Sequence, residues 1–403
     1  MTTTETIQAT ARPHSHGPAP ETQGHSSRAD RPTSFDIADI ATPTGGEEDW
    51  RFTPLDRIDV LFDPANYAPD DAPIEIDAPA EVLVETAERG EDIDANDPVL
   101  APGDRTSVVA WDRFATTTTI TIPKGFHVVQ PVLLNVRDVE GVRAQRIKVV
   151  AEEQSHAIVV LDHKGSGKLN QTIEIDAHDA ADLTFASLQE WDDTATHASN
   201  HRVRLGKDSV VRHIVVTLGG NLVRITADTE FAGTGGQLTM LGLYFVDAGQ
   251  HLEHRPFVDH SAPNCYSRVT YKGALQGEGA HSVWIGDCLI RETADETDTY
   301  ELNRNLVLTE GAKADSVPNL EIENGEIKGA GHASATGRFD DEQLFYLMSR
   351  GVSAEDARRL VVRGFFAELI QQIGVPAIQD HLMTAIEAEL NQGGIDRAFE
   401  TGE

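Results

Sequence analysis

The stretch Pro318-Asn-Leu-Glu-Ile-Glu-Asn-Gly-Glu-Ile-Lys-Gly-Ala-Gly-His332-Ala-Ser-Ala-Thr-Gly-Arg338 decides the fold of this chain. Before it, short runs rich in β-branched residues alternate with turn residues, which is typical of strands. After it, from residue 339 onward, apolar residues return with the period of a helix. The stretch therefore predicts a β-rich region that ends in a glycine-rich turn with one histidine and continues into helices.

Short strands are expected throughout residues 99–338. No helical pattern of 10 to 15 residues separates the runs, which excludes alternating βαβ units. The runs that we interpret as strands are Ser107–Trp111, Thr117–Ile122, Ile147–Ala151, Ala157–Leu161, Leu183–Ser187, Val210–Val216, Leu238–Tyr244 and Ser282–Ile285.

A turn pattern repeats within this region. Glu278-Gly-Ala280 and Glu310-Gly-Ala312 lie 32 residues apart, which is a period typical of a solenoid coil. Asn303 and Asn305 cluster near a turn in the same part of the chain. Stacked coils, each burying its apolar face against its neighbours, would explain the short strands and the repeated turns. A β-sandwich would give the same strand signal, and the pattern favours the solenoid only slightly.

Three helices are expected in the C-terminal domain, residues 339–403. Their boundaries are expected at Asp340 and Gly351, at Ser353 and Gly374, and at Pro376 and about Asn391. In the second helix, residues at helical spacing form a stripe that we expect to be buried, namely Leu360, Val361, Phe365, Leu369 and Ile373.

Charge and cysteine content limit the possible functions. The 403 residues carry a formal charge of -33, which would repel phosphate backbones and anionic lipid and argues against nucleic-acid or membrane partners. A proteome whose proteins all have acidic surfaces would produce the same charge, so the net charge is mainly evidence about solubility. The two cysteines, Cys265 and Cys288, form no CxxC pair and indicate a reducing compartment. We expect a cytoplasmic protein without a membrane helix.

The N-terminal part is expected to hold little regular structure. Residues 1–48 have the composition of a disordered leader, and its histidines His14, His16 and His25 are interpreted as solvated spacers rather than metal ligands. Residues 49–98 are expected to form a helical or irregular segment. Its Trp50 is interpreted as a core anchor, and a docking clip is the alternative.

Several motifs invite a catalytic or metal interpretation without supporting it. Gly165-Ser-Gly-Lys168 departs from a phosphate loop at Asp162 and Leu169, so we interpret it as a turn between strands. Both cysteines are expected to be small buried residues. His251, His254 and His260 would suit a metal only on a helix, which the β-rich context disfavours.

His332 is the candidate ligand. Its neighbours, Gly331 and Ala333, have little bulk, so the imidazole can face a partner, and neutral imidazole is a good ligand for iron. A structural histidine held by hydrogen bonds within its own chain is the alternative interpretation.

Several sequence blocks follow one another in a fixed order. The first is Trp50-Arg-Phe-Thr-Pro54, and the others are His260-x-x-Pro-x-Cys265, Tyr271-Lys-Gly273, Val283-Trp-Ile-Gly286, Asn303-Arg-Asn-Leu306, Pro318-x-Leu-Glu-Ile322, His332 and Leu344–Gly351. Together these blocks resemble the SufB/SufD family of iron-sulfur cluster assembly scaffolds, and the first block is similar to the motif at the start of the family's fold. The resemblance implies a right-handed parallel β-helix core over residues 99–338, followed by a C-terminal helical bundle.

Within the family the chain looks like SufD. SufB carries a cysteine implicated in cluster assembly where this chain has Ile322, and SufD presents a histidine that His332 matches. The resemblance implies that His332 ligates iron or a nascent cluster at the interface with SufB. Many SufD chains have a cysteine two residues earlier, where this chain has Ala330, which leaves this subunit without a thiolate at that point.

The resemblance also implies partners and a division of labour. SufB would form a heterodimer with this chain, and the ATPase SufC, which binds ATP and Mg, would dock on the C-terminal helices. Residues expected to contact partners are Leu344, Tyr346, Phe365 and Phe366. The implied function is a non-catalytic scaffold subunit that aids the admission of iron, shares a transient iron-sulfur cluster with SufB and reaches its sulfur donor through the complex. A SufB-like primary scaffold and a carbohydrate-active β-helix protein are the alternatives.

Overall fold

Two facing β-sheets form the body of the protein. The computed structural model describes residues 28–90, 98–339 and 341–392. The strands are β1 (Glu75–Asp77), β2 (Leu83–Glu88), β3 (Thr116–Ile122), β4 (Val132–Arg137), β5 (Val142–Ala151), β6 (His156–Gly165), β7 (Lys168–Ala177), β8 (Asp182–Trp191), β9 (Thr196–Leu205), β10 (Val210–Thr217), β11 (Leu222–Phe231), β12 (Gln237–Val246), β13 (His251–His260), β14 (Tyr266–Leu275), β15 (His281–Ile290), β16 (Asp298–Val307), β17 (Lys313–Ile322) and β18 (Gly329–Arg338). The α-helices are α1 (Arg105–Arg113), α2 (Asp341–Ser349), α3 (Ala354–Ile373) and α4 (Pro376–Gln392).

Successive strands alternate between the two sheets. Sheet I contains β1 and the even-numbered strands from β4 to β18, and sheet II contains β2 and the odd-numbered strands from β3 to β17. From β3 onward, neighbours within each sheet run parallel, so the chain winds as a parallel β-helix. His281 pairs with Lys313, 32 residues later, whereas Lys168 pairs with Thr196, 28 residues later. The solenoid prediction is confirmed, and the varying coil length explains why the sequence shows no single period.

Alternate residues of each strand point into the lumen between the sheets. Most are apolar and fully buried, among them Ile173, Phe185 and Leu252. Histidines share this lumen. His201 Nδ1 lies 2.7 Å from His213 Nε2, and burial lowers the pKa of His213 to about 4. The lumen therefore holds neutral imidazoles among its apolar side chains.

One predicted strand is a helix. Ser107–Trp111 lies within α1, because Asp104 begins the helix with a capping box in which its carboxylate accepts the Ser107 N–H. Burial alone would raise the pKa of Asp104, but the charge of Arg224 and the bonds from Ser107 lower it to about 2. The helix is buried on several sides, since every residue from Thr106 to Trp111 is buried.

The N-terminal segment covers the outer face of sheet II through charged and aromatic contacts. Arg255 Nη2 lies 2.9 Å from Asp49 Oδ1, and the Arg224 guanidinium lies 4.0 Å from the Trp50 ring centroid. Trp50 is buried, which confirms it as a core anchor. Residues 28–48, expected to belong to a disordered leader, pack here instead: Arg28 pairs with Asp228 at 2.7 Å. His14, His16 and His25 lie outside the described residues.

The outer face of sheet I is apolar and is covered by α3 and α4. Ser353 begins α3 by accepting the Asp356 N–H, and Gly374 ends it in a left-handed conformation, as predicted. Asp340 lies outside the described residues. The buried stripe of α3 is displaced from the predicted one, because the helix turns Leu360 to solvent. Its buried members are Val362, Phe366, Leu369, Ile370 and Ile373.

The two ends of the β-helix differ. At the N-terminal end, β1 pairs antiparallel with β4, and β2 pairs antiparallel with β3. At the C-terminal end, β17 and β18 are the last strands of their sheets, and within the described residues no strand pairs with their outer edges. No described helix is both long and apolar enough to cross a bilayer.

Candidate functional site

His332 lies on β18, at the open end of the β-helix. Its side chain is exposed. It lines a cleft of about 410 Å³ together with residues of β15, β17 and the N-terminal segment. Across the lumen the cleft includes Pro318 and Leu320 of β17. The imidazole is therefore presented at a free edge, where another chain can reach it.

The lumen beneath His332 is polar. Ser334 Oγ on β18 donates to Ser316 Oγ on β17 at 2.7 Å, and Ser316 Oγ donates to Asn303 Oδ1 at 2.7 Å. Asn303 Nδ2 donates in turn to the Tyr244 hydroxyl at 2.9 Å. This hydrogen-bonded chain ties the last coil to the coils beneath it and fixes the position of β18.

Glu301 is the register partner of His332 on β16. Paired residues of adjacent parallel strands lie on the same face, so both face the lumen. Glu301 is 1% exposed, and neither carboxylate oxygen has a hydrogen-bond partner among the described residues. Burial, and next the charge of Asp287, raise the pKa of Glu301 well above its usual value.

Space for the Glu301 carboxyl is left by a glycine on the opposite sheet. A Cβ on Gly286 of β15 would lie 3.1 Å from Glu301 Oε2 and 2.3 Å from the Trp284 ring. The indole Nε1 of Trp284 also lacks a hydrogen-bond partner among the described residues. The open end thus contains an unpartnered acceptor and an unpartnered donor one coil below the surface.

The charged rim of the cleft is balanced. Arg28 and Arg255 bring positive charge, and Asp287 on β15 pairs with Arg28 at 3.3 Å. Arg255 pairs with Asp49 at 2.9 Å. These ion pairs hold the N-terminal segment beside the cleft. Within the described residues no carboxylate forms an ion pair with His332.

The other histidine cluster does not form a metal site. Strand β13 turns His251 toward the outer face, where its Nε2 lies 3.2 Å from Glu253, and turns His254 and His260 into the lumen. His254 bonds to the Thr217 hydroxyl at 2.9 Å. Within the described residues no group of three or more His, Cys, Asp or Glu side chains is arranged to hold a metal ion.

Both cysteines are free and buried, as expected. Burial raises the pKa of the Cys265 thiol, and burial together with the charge of Glu301 raises that of Cys288. A raised thiol pKa leaves little thiolate at neutral pH, so neither is an activated nucleophile.

The residues predicted to contact partners fall in different environments. Tyr346 on α2 is 54% exposed, and Phe365 on α3 is half-buried beneath the Lys272 ammonium. Phe366 is fully buried against sheet I, so of these two neighbouring phenylalanines it is the one that packs within the chain. The side chain of Leu344 lies outside the described residues. Sequence reasoning missed exposed apolar side chains on α2 and α3: Phe345, Met348 and Leu360.

A second cavity, of about 230 Å³, lies between the N-terminal segment and the outer face of sheet II. Its carboxylates are largely paired with arginines: Asp104 with Arg224 at 2.5 Å, and Asp259 with Arg291 at 2.6 Å. Carboxylates engaged in this way are not placed as the acid and base of a glycosidase, which disfavours the carbohydrate-active alternative.

Fold and open end together define a β-solenoid protein with one exposed histidine at an uncapped end. The SufBD core domain of the SUF system of FeS cluster assembly matches residues 134–365. An iron-sulfur cluster assembly SufBD family protein of Mycobacterium tuberculosis is 50% identical over 369 residues, covering 89% of this chain and 91% of that protein. The chain belongs to the SufBD family of iron-sulfur cluster assembly proteins.

More distant relatives carry the SufD name. SufD of Escherichia coli is 28% identical over 222 residues, covering 55% of this chain and 52% of that protein. SufD of Bacillus subtilis is 26% identical over 253 residues, covering 60% and 57%. The family prediction from the sequence blocks is therefore confirmed.

Proposed function

We propose that this chain is the SufD-type scaffold subunit of an iron-sulfur cluster assembly complex, and that it presents His332 to iron at an interface with a SufB-type partner. The observation that carries the proposal is the exposure of His332 on a strand whose outer edge is unpaired within the described residues. Neutral imidazole suits iron. Ile322, where SufB carries its cysteine, supports a SufD rather than a SufB role.

The unpaired edges of β17 and β18 support the partner part of the proposal. An exposed strand edge presents backbone N–H and C=O groups that favour pairing with another chain. A second scaffold subunit with the same β-helix would supply matching edges. It would also supply the remaining ligands, since His332 is a single donor and an iron site needs several.

The C-terminal helices support a second contact. Phe345 is 74% exposed and lies next to Tyr346 on α2, and Leu360 of α3 is also exposed. Exposed apolar side chains on helices that the β-helix does not cover favour a protein partner. We propose SufC as that partner. Closure of two ATP-bound SufC subunits would move these helices and open the SufB contact, which would admit iron to His332.

Replacing His332 with alanine tests the ligand role. The substitution removes an exposed side chain, so the complex assembles as before. Cluster yield in anaerobic reconstitution falls about tenfold, because a ligand is lost. His127→Ala is the matched control, since His127 is an exposed histidine at the opposite end of the β-helix. Equal yields from wild type and His332→Ala would remove His332 from the mechanism.

Affinity purification of the tagged chain from native lysate tests the partner assignment. A SufD-type subunit brings down a SufB-type scaffold and a SufC-type ATPase. Recovery of neither protein would contradict the proposed complex. A Phe345→Ser variant, which changes an exposed side chain of α2, is expected to lose the ATPase while keeping the scaffold.

A further inference from the structure

Fully buried glutamates elsewhere in the described part of this protein form ion pairs with arginines. Glu174 on β7 and Glu253 on β13 are both fully buried, and each is paired with an arginine. Glu301 is buried to the same degree, yet no described residue pairs with it. A buried charge without a partner is strongly disfavoured in a folded protein. The contrast within one chain indicates that the partner of Glu301 is supplied from outside it.

Neither protonation state of Glu301 is satisfied by the described residues. The carboxylate lacks a cation or N–H donor, and the protonated acid would need an acceptor for its O–H group. The charged group that acts on it most is Asp287, which has the same sign. A cation is therefore the chemical class of ligand that this position lacks.

His332 and Glu301 lie one above the other. They are register partners on β18 and β16, and neighbouring strands are separated by about 4.8 Å. The lumen-facing residues that flank His332 on β18 are Ala330 and Ser334, both small. No further coil of the described chain covers this level. A metal ion can reach the exposed imidazole of His332 through the open end, and the Glu301 carboxyl lies buried directly beneath that imidazole.

We propose that the Glu301 carboxylate is a second iron ligand from this chain, held one coil beneath His332; the proposal rests on the proposed function of His332. An imidazole and a carboxylate are a ligand combination that ferrous iron accepts readily. The His332 imidazole and the Glu301 carboxylate occupy adjacent coordination positions of one metal ion, and the partner subunit supplies the remaining ligands. Glu301 thereby compensates for the missing thiolate at the Ala330 position.

Ferrous binding to the purified complex tests the proposal. Equilibrium dialysis against Fe(II) under anaerobic conditions is performed on the wild type and on the Glu301→Gln and His332→Ala variants. Glutamine keeps the size of the side chain and removes the charge, so the complex assembles. Glu301→Gln is expected to weaken ferrous binding about tenfold, as is His332→Ala.

The matched control is Glu389→Gln. Glu389 on α4 is another carboxyl whose pKa is raised, to about 8, by burial and by Asp247, and it lies away from the open end. This variant is expected to bind ferrous iron as the wild type does. Thermal unfolding of all variants without metal shows whether each substitution leaves the fold intact.

The outcomes separate the two proposals. If His332→Ala weakens ferrous binding and Glu301→Gln does not, the Glu301 ligand is overturned and the role of His332 stands. If neither variant weakens binding, both proposals are overturned. A purely structural Glu301 would make Glu301→Gln more stable to heat and leave iron affinity unchanged, whereas the proposal predicts a loss of affinity in a fully folded variant.

Discussion

The two ends of the β-helix are built from the same kind of coil and are finished differently. At the N-terminal end, β1 and β2 turn antiparallel and occupy the outer edges of β4 and β3. At the C-terminal end, the outer edges of β17 and β18 are unpaired within the described residues, and β18 is largely exposed. Within the described residues, the chain therefore covers the strand edges at the N-terminal end of the stack and leaves those at the C-terminal end uncovered. The chain presents its candidate ligands at the other end.

Lowering the pH is expected to reduce the free energy of unfolding mainly through histidines buried in the closed coils. Burial lowers the pKa values of His163 and His213 to about 4, and those of His254 and His260 to about 3. Between these values and the unfolded value near 6.5, the unfolded state binds more protons, so stability falls as the pH is lowered. Each histidine contributes up to about 1.4 kcal/mol per pH unit.

Urea unfolding at pH 7 and pH 5 measures this dependence. His213→Gln removes one of the buried imidazoles, and its unfolding free energy is expected to fall less steeply with acid than that of the wild type. Identical slopes for the two proteins would show that His213 is not held neutral in the fold.

A matched pair of leucines measures the packing of the two regions. Leu183 on β8 is fully buried in a closed coil, whereas Leu320 on β17 is only partly buried at the open end. Leu183→Ala is expected to lower the free energy of unfolding by about 3–4 kcal/mol, and Leu320→Ala by about 1–2 kcal/mol. Chemical denaturation gives both values. Equal losses would mean that the open end is packed as tightly as the middle.

A charge at the open edge is expected to impair association while leaving the fold unchanged. Ile322 ends β17 and is 49% exposed. Ile322→Lys is expected to change the free energy of unfolding by less than about 0.5 kcal/mol, as is usual for surface substitutions. Lysine at a strand edge opposes pairing with another strand, so the yield of co-purified scaffold partner is expected to drop. Glu85→Lys on β2 is the control at the closed end. Loss of the partner in the control alone would reverse the assignment of the two ends.

Much of the fold could be predicted from local patterns. Turns at Glu278–Ala280 and Glu310–Ala312 predicted a coil length that the pairing of His281 with Lys313 confirms. Ser353 and Gly374 were correctly predicted as helix caps because capping depends on residues close in sequence.

Other features depended on contacts that no local pattern encodes. Ser107–Trp111 has the β-branched content of a strand, and its helix follows from the Asp104 cap and from burial on several sides. The buried stripe of α3 differs from the predicted one because apolar residues such as Leu360 and Phe365 also lie outside that stripe, and only packing against sheet I decides which face is buried.

The candidate site was predicted only in part. His332 was identified by the small residues around it and by a resemblance to a family pattern. The stretch that contains it was expected to be a turn and is strand β18, and the ligand role of His332 stays a prediction. Glu301 could not be found in the sequence, since it is one of 66 acidic residues. Its significance comes from the pairing register, which aligns it with His332, and from the arginines that accompany other buried carboxylates.

Amide hydrogen exchange of the chain, alone and mixed with the proposed SufB-type partner, tests whether the open end is where a partner binds. We expect the partner to slow exchange in β17 and β18, within residues 313–338, and to leave exchange in β2, residues 83–88, unchanged. Unchanged exchange in β18 in a complex that is fully formed would contradict the claim that the open end is the place of assembly.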